Sequence, residues 1–266
     1  MSLVFNAPTT RNGIIQAIER RIFPGDANRI SGNASLLADT TAEVNISLDK
    51  VTAMIISAGG EWQYDDTNFT DYPIITTNLV AGQRDYSFTT DAGGNLILDI
   101  YKVLVKSENT GLYRELYPVD AQSVEQPEYN PGWQTGVLGW GYNGVNTLTD
   151  GQDKQGTPNR YDKTANGIFL DLVPSYNSVA GLKVYINRES SYFTTSDTTK
   201  KPGFAGPFHD YLAIEAAYKY ALIHSQPNAS AFQNEMLVME AAIKDYYGER
   251  NRDTRKGMRA AITNTR

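Results

Sequence analysis

The chain has 266 residues, no cysteine, 41% hydrophobic and 20% charged residues, and a formal net charge of −6. Lack of cysteine removes disulfides, thiolate nucleophiles and zinc–thiolate sites together, and fits manufacture in a reducing cytoplasm. The acidic balance excludes nucleic-acid binding over the whole surface, and no run approaches the roughly 18 consecutive apolar residues of a membrane span.

In chain order, the start Met1-Ser-Leu-Val-Phe-Asn-Ala-Pro8 has neither a basic opening nor a long apolar stretch, so a secretory signal peptide is not expected. Ile14, Ile18 and Ile22 then fall at i, i+4, i+8 and predict one apolar helix face, with Thr10 as its cap and Pro24 as its stop. Val44, Leu48, Val51 and Ile55 predict a second helix from about Asp39 to Ser57, closed by Gly59-Gly60. Its β-branched residues lower helix propensity, so packing must hold it.

After Gly60 the period changes to that of strands. Segments 71–77, 85–88 and 95–106 read as strands. A fourth, 112–119, is able to pair back on the third through Asn109-Thr110-Gly111, and 159–163, 168–173 and 182–189 follow. Asn166-Gly167 is a hairpin turn by composition. Short strands without interleaved helices predict an antiparallel sandwich or barrel. Helical spacing returns after Pro202, with Pro207 in a first turn. A later helix carries the stripe Phe232, Met236, Met239, Ile243 and Tyr246, with Ser230 and Gln233 as a capping box and Glu240 paired to Lys244 on the solvent side. The predicted fold is therefore α+β, a helical bundle built from both chain ends with an inserted antiparallel β-sandwich or barrel. Its parts are 1–71 (N-terminal helical part), 72–196 (β insertion), 197–248 (C-terminal helical part) and 249–266 (a basic C-terminal arm).

Two segments stand outside these elements. Residues 121–157 hold seven glycines with Trp133, Trp140, Tyr129 and Tyr142 and few charges. Loops of that length are uncommon unless functional or disordered, and such aromatics are enriched at interfaces. They read as a subunit or partner contact loop, the plain alternative being a lid folded back on the sheet. The last 18 residues carry Arg250, Arg252, Arg255, Lys256, Arg259 and Arg266 against Glu249 and Asp253. That end is at +4, which leaves the rest of the chain at −10. With Met258 and Ile262 as its large apolar residues, it reads as an interaction arm that orders on a partner, or else as a frayed, solvated terminus.

Chemistry-bearing motifs are missing. His209 and His224 show no metal-ligand spacing, and no nucleophile elbow or phosphate-binding glycine loop occurs. Asp150 and Asp153 begin a calcium-like loop whose twelfth position is Tyr161 rather than a glutamate. Acid pairs such as Glu61 with Asp65 have the residue types of a glycosidase, but acids of this kind are most often a solvated face. No catalytic, cofactor or metal residue is assigned, and the chain is not expected to be an enzyme.

The order of segments resembles the head-to-tail connector proteins of tailed bacteriophages, the adaptor ring under the portal. The residues that carry the resemblance span roughly 10–250. After an N-terminal helix pair come Glu61-Trp62-Gln63-Tyr64-Asp65 and Tyr72-Pro73-Ile74-Ile75-Thr76-Thr77. The spacing Thr77-x-Leu79-x-x-Gly82-Gln83-x-x-Tyr86 follows, then Gly156-Thr157-Pro158-Asn159-Arg160-Tyr161. Last are the run from Ile168 to Pro174 and Pro207-Phe208-His209-Asp210-Tyr211-Leu212. Loop 121–157 is longer than the resemblance leads one to expect. The resemblance implies a virion protein made in the host cytoplasm and placed at the neck between capsid and tail. It would form a ring of twelve copies, bind the portal protein and a downstream tail or stopper protein, and line the channel through which DNA passes unbound. Arg250, Arg252, Arg255, Lys256 and Arg259 would be the portal-binding arm. Two other classes remain open. A carbohydrate-binding β-sandwich would use the tryptophans but leaves the helices unexplained, and a tail-fibre or capsid accessory protein should show repeats or a coiled coil.

Overall fold

The computed structural model describes residues 3–59, 74–118 and 155–250. The chain is α+β and divides into two compact units, residues 1–72 with 189–266 and, between them in sequence, residues 73–188.

The first unit is helical. Helix α1 is Ile14–Ile22 and buries Ile14, Ile18 and Ile22 as the periodicity requires. Its cap is Gly13, with no side-chain cap bond, so Thr10 does not cap it. Two buried polar side chains fix the flanking chain instead. Gln16 accepts the Ala7 N–H at 2.8 Å and donates to Asn6 Oδ1 at 2.7 Å. Glu19 Oε1 accepts the N–H groups of Ile30 and Ser31 at 3.0 and 2.9 Å. Helix α2, Ala34–Gly59, starts five residues before the expected Asp39. Asn33 explains the difference, because its Oδ1 accepts the N–H groups of Ser35 and Leu36 at 3.1 and 3.2 Å. That satisfies two of the donors a helix start leaves orphaned.

After a 3-10 turn at Gly206–Phe208 that contains Pro207, helix α3 runs Asp210–Ile223, and helix α4 runs Ala229–Arg250. Because α4 already starts at Ala229, Ser230 lies inside it and is not its cap. Residues of all four helices join one core that includes Ile18, Leu48, Ile55, Leu212, Ile214 and Ile243. Met236 and Ile243 of the expected α4 stripe are buried, but its last position is taken by Tyr247 (1% exposed) and not by Tyr246 (39%). The Tyr247 hydroxyl accepts the Ala205 N–H at 3.0 Å, which settles which of the two tyrosines turns inward.

The second unit is built on a seven-stranded sheet. Its strands are β1 Ile74–Leu79, β2 Asp85–Ser87, β3 Ile97–Lys106, β4 Tyr113–Pro118, β6 Arg160–Thr164, β7 Gly167–Leu170 and β9 Ser178–Arg188, in the order β1-β9-β3-β4-β6-β7-β2. Short strands β5 (Gln155–Gly156) and β8 (Val173–Pro174) pair separately. Inward residues alternate along β9 and along β3 beyond the register shift between Ile100 and Lys102, with Ile100, Val103, Val105, Leu182, Val184 and Ile186 buried in one cluster.

Laid flat, seven strands about 4.8 Å apart would separate the edges by roughly 29 Å. Yet β1 ends at Leu79 and the opposite edge strand β2 begins at Asp85, six steps that reach at most about 21 Å. The sheet must therefore curl until its edges approach. The expected all-antiparallel arrangement is corrected at two pairings. β4 and β6 are parallel, pairing Tyr117 with Arg160 and Pro118 with Tyr161, as are β5 and β8. About forty residues separate β4 from β6, so no tight turn forces an antiparallel return.

The spacing Leu79-x-x-Gly82-Gln83-x-x-Tyr86 is the stitch at this closure. Leu79 and Tyr86 are buried, and the Tyr86 hydroxyl accepts the Val80 N–H at 3.0 Å. The left-handed turn residue Gly82 has φ +84°, where a side chain would be strained. The β6–β7 hairpin turns through Ala165-Asn166, and Gly167 already belongs to β7. Its missing side chain serves close strand approach, since a Cβ there would lie 2.1 Å from the Tyr86 carbonyl oxygen.

Candidate interaction surfaces

Of the arm residues, Arg250 is the last residue of α4, while Arg252, Arg255, Lys256 and Arg259 lie outside the described residues. So do Trp133, Trp140, Tyr129 and Tyr142, and the acids Glu61, Asp65, Asp150 and Asp153. Among the described residues no cluster of three or more His, Cys, Asp or Glu side chains could hold a metal ion. The two histidines are separate features. His209 is buried, takes the Leu3 N–H on Nδ1 at 3.2 Å, and places Nε2 2.8 Å from the Phe204 carbonyl. That pattern is a neutral imidazole donating through Nε2. Burial holds its pKa below the ordinary value although both backbone contacts oppose it. His224 is exposed and packs against the Tyr220 ring.

The most polar interior feature joins three helices. Lys50 of α2 meets Glu240 of α4 at 2.7 Å and Glu215 of α3 at 3.6 Å. The Tyr211 hydroxyl donates to the same Glu240 oxygen at 2.9 Å. Lys219 bridges Glu43 at 3.1 Å and Glu215 at 3.8 Å. Glu240 thus turns toward α2 and does not form the expected solvent-side pair with Lys244. Burial opposes ionisation of Lys50, but the hydrogen bond and charges of Glu240 and Glu215 outweigh it and raise its pKa. In the same way burial would raise the pKa of Glu240, yet the bonds from Lys50 and Tyr211 bring it down. The Tyr211 hydroxyl is pushed upward by burial and by the two carboxylates, so it stays protonated and donates. Three acids against two lysines leave the cluster net negative. Its geometry fixes the register of α2, α3 and α4, because a shift of one turn strands a buried charge.

Sequence reading missed this cluster. The one local hint is Glu215 set inside the apolar run Tyr211–Ala217.

Two surfaces carry exposed apolar side chains. In the helical unit, Leu222 and Ile223 at the end of α3 are 53% and 74% exposed, and Leu237 and Val238 of α4 are 52% and 71% exposed. Bulky apolar groups on neighbouring antiparallel helices mark association surfaces more often than scattered single ones do. In the β unit the outward face mixes aromatics with lysines. Lys102 lies over the Tyr185 ring and bridges Glu115 at 3.2 Å, and Lys183 sits 4.1 Å from the Tyr113 ring centre. Tyr117 on the same strand as Tyr113 is strongly exposed.

No described helix is long and apolar enough to cross a membrane. No protein-family model matches the chain, and no curated protein matches it.

Proposed function

We propose that the chain is a structural virion protein: an adaptor ring that docks on a phage portal, joins capsid to tail, and forms part of the DNA channel. In this reading it is a helical bundle from both chain ends with an inserted β module, and it has no catalytic activity. It assembles as a ring of twelve copies at the virion neck, after synthesis in the host cytoplasm. Its partners are the portal, a downstream tail or stopper protein, and further copies of itself. The arm residues Arg250, Arg252, Arg255, Lys256 and Arg259 meet the portal. Loop residues Tyr129, Trp133, Trp140 and Tyr142 serve subunit or partner contact.

The observation that carries the reading is the pairing of two features at one end of the chain. Helices α3 and α4 each present exposed apolar side chains, Leu222 and Ile223 on the one and Leu237 and Val238 on the other, which contacts between copies would cover. The chain then continues directly into a +4 terminal segment on a body of −10. An acidic channel wall repels DNA and lets it slide, while a basic arm is free to grip a protein partner.

The test is native mass measurement and electron microscopy of the full-length protein, alone and with portal. Rings that dock on the portal are expected, with docking lost on deletion of 249–266 and weakened at high salt because exposed charges are screened over about 10 Å at 0.1 M. A protein that stays monomeric at all concentrations and ignores the portal refutes the proposal.

A further inference from the structure

A groove of about 400 Å³ opens on the helical unit between the end of α1, the start of α2 and the second half of α3. Its walls are apolar: Ile18 and Ile22 from α1, Leu36 from α2, and Ala216, Tyr220 and Ile223 from α3. Asp39 and Glu43 stand on the α2 side against Lys219 on the α3 side, which bridges Glu43 at 3.1 Å. The rim is therefore net negative. Ile223 reaches well into solvent at its mouth. An apolar floor under an acidic rim fits a segment with an aliphatic side chain or two flanked by cations.

The chain itself contains one. Met258 and Ile262 are spaced four apart, and Arg255, Lys256 and Arg259 surround them. We infer that, in the free protein before any portal is met, this groove receives the 255–262 segment of a second copy of the chain. Chain reach selects the second copy over the chain's own tail. Helices α3 and α4 are antiparallel: the Tyr246 ring packs 5.4 Å from Phe208, and Tyr211 bonds Glu240. The groove's α3 wall runs from Ala216 to His224, eight to sixteen residues along the helix from Phe208, or about 12–24 Å at 1.5 Å per residue. Arg250 is four residues past Tyr246, which adds about 6 Å in the opposite direction. Eight residues separate Arg250 from Met258 and span at most about 28 Å when fully stretched. Met258 thus has length to spare only for the Ala216 end of its own groove, and reaches the Ile223 mouth only as a taut thread with no length left to cross between helices. A second copy removes that limit. The contact needs two copies and does not depend on a portal.

The absence of cysteine makes the test clean. Full-length Ala42→Cys, on the exposed rim of α2, is mixed with full-length Thr263→Cys under mild oxidation. A covalent heterodimer is expected to form at least tenfold faster than when Glu235→Cys, exposed on α4, replaces Ala42→Cys. High salt should slow the reaction, and so should Ile223→Asp, a change at an exposed site that leaves the core untouched. Equal rates at Ala42→Cys and Glu235→Cys overturn the inference. So does a double-cysteine chain that cross-links within itself at a rate independent of concentration, since that places the tail in its own groove. Portal docking measured in parallel separates the two proposals: docking without the cross-link refutes this contact alone, and the cross-link without docking refutes the adaptor reading alone.

Discussion

Replacing Lys50 by methionine tests the three-helix cluster most directly. Methionine keeps most of the aliphatic stem that packs beside α3 and α4, so the change removes chiefly the charge and its bonds. Lost are the 2.7 Å bond to Glu240 and the attraction of Glu215 at 3.6 Å. A charge-assisted hydrogen bond contributes about 1.5–3 kcal/mol, and stripping one partner from a fully buried pair costs about 3–5. Two facts pull the figure down. The Lys50 side chain is 40% exposed, so water already screens it, and Lys219 remains 3.8 Å from Glu215. The expected net cost is therefore about 2 kcal/mol, a fall of roughly 4–8 °C in the melting temperature of a unit of about 150 residues.

The pH dependence supplies a sharper check. Glu240 has a folded pKa below its unfolded one, so its contribution is present above about pH 4.3 and is lost as pH falls through the folded value. Lys50 has a raised folded pKa, so its contribution is present below about pH 10.4 and is lost as pH rises through the folded value. The gap in melting temperature between wild type and Lys50→Met should be widest between those limits and shrink on either side. Calorimetry across pH 3.5–11 measures it. Adding Glu240→Gln to Lys50→Met should recover part of the loss, because a glutamine oxygen still accepts from Tyr211 while the stranded charge is gone. A gap that is constant with pH, or a Lys50→Met protein more stable than wild type at neutral pH, refutes the reasoning.

Other residues give shorter predictions. Gly167→Ala should destabilise the β unit by about 2–3 kcal/mol in urea unfolding, because the new methyl would sit 2.1 Å from the Tyr86 carbonyl and one strand must give way. Tyr161→Phe should be neutral or stabilising by up to about 1 kcal/mol: the hydroxyl is buried without a hydrogen-bond partner, and burial with the nearby Asp99 and Glu115 pushes its pKa up to about 12. His209→Gln should flatten the loss of thermal stability on acidification. The folded pKa of His209 is depressed, so a penalty grows as pH falls below about 6.5, where the unfolded imidazole takes up a proton and the folded one does not. Melting curves from pH 5 to 8 check this, and equal slopes in both proteins would contradict it.

The sequence by itself determined which stretches are helical, which are extended, and which face of several of them is apolar. Ile14, Ile18 and Ile22 are buried where their spacing puts them, and the strand positions fall within a few residues of those read from composition. The Asn33 cap was legible too, as an asparagine just ahead of Ala-Ser-Leu-Leu, and overlooking it misplaced the start of α2. Periodicity records that a face is apolar but not what it will meet. Only tertiary structure decided that β1 pairs with β9, about a hundred residues away, that β4 and β6 run parallel, and that the sheet curls until Tyr86 reaches Val80. The same holds for charge. Local spacing offered Glu240 a partner at Lys244 worth a few tenths of a kcal/mol on a wet surface. Folding gave it Lys50, 190 residues distant, and Tyr211. A carboxylate carried into an interior must be met there by whatever donors the packing brings, and those donors come from other elements whose positions no local pattern encodes.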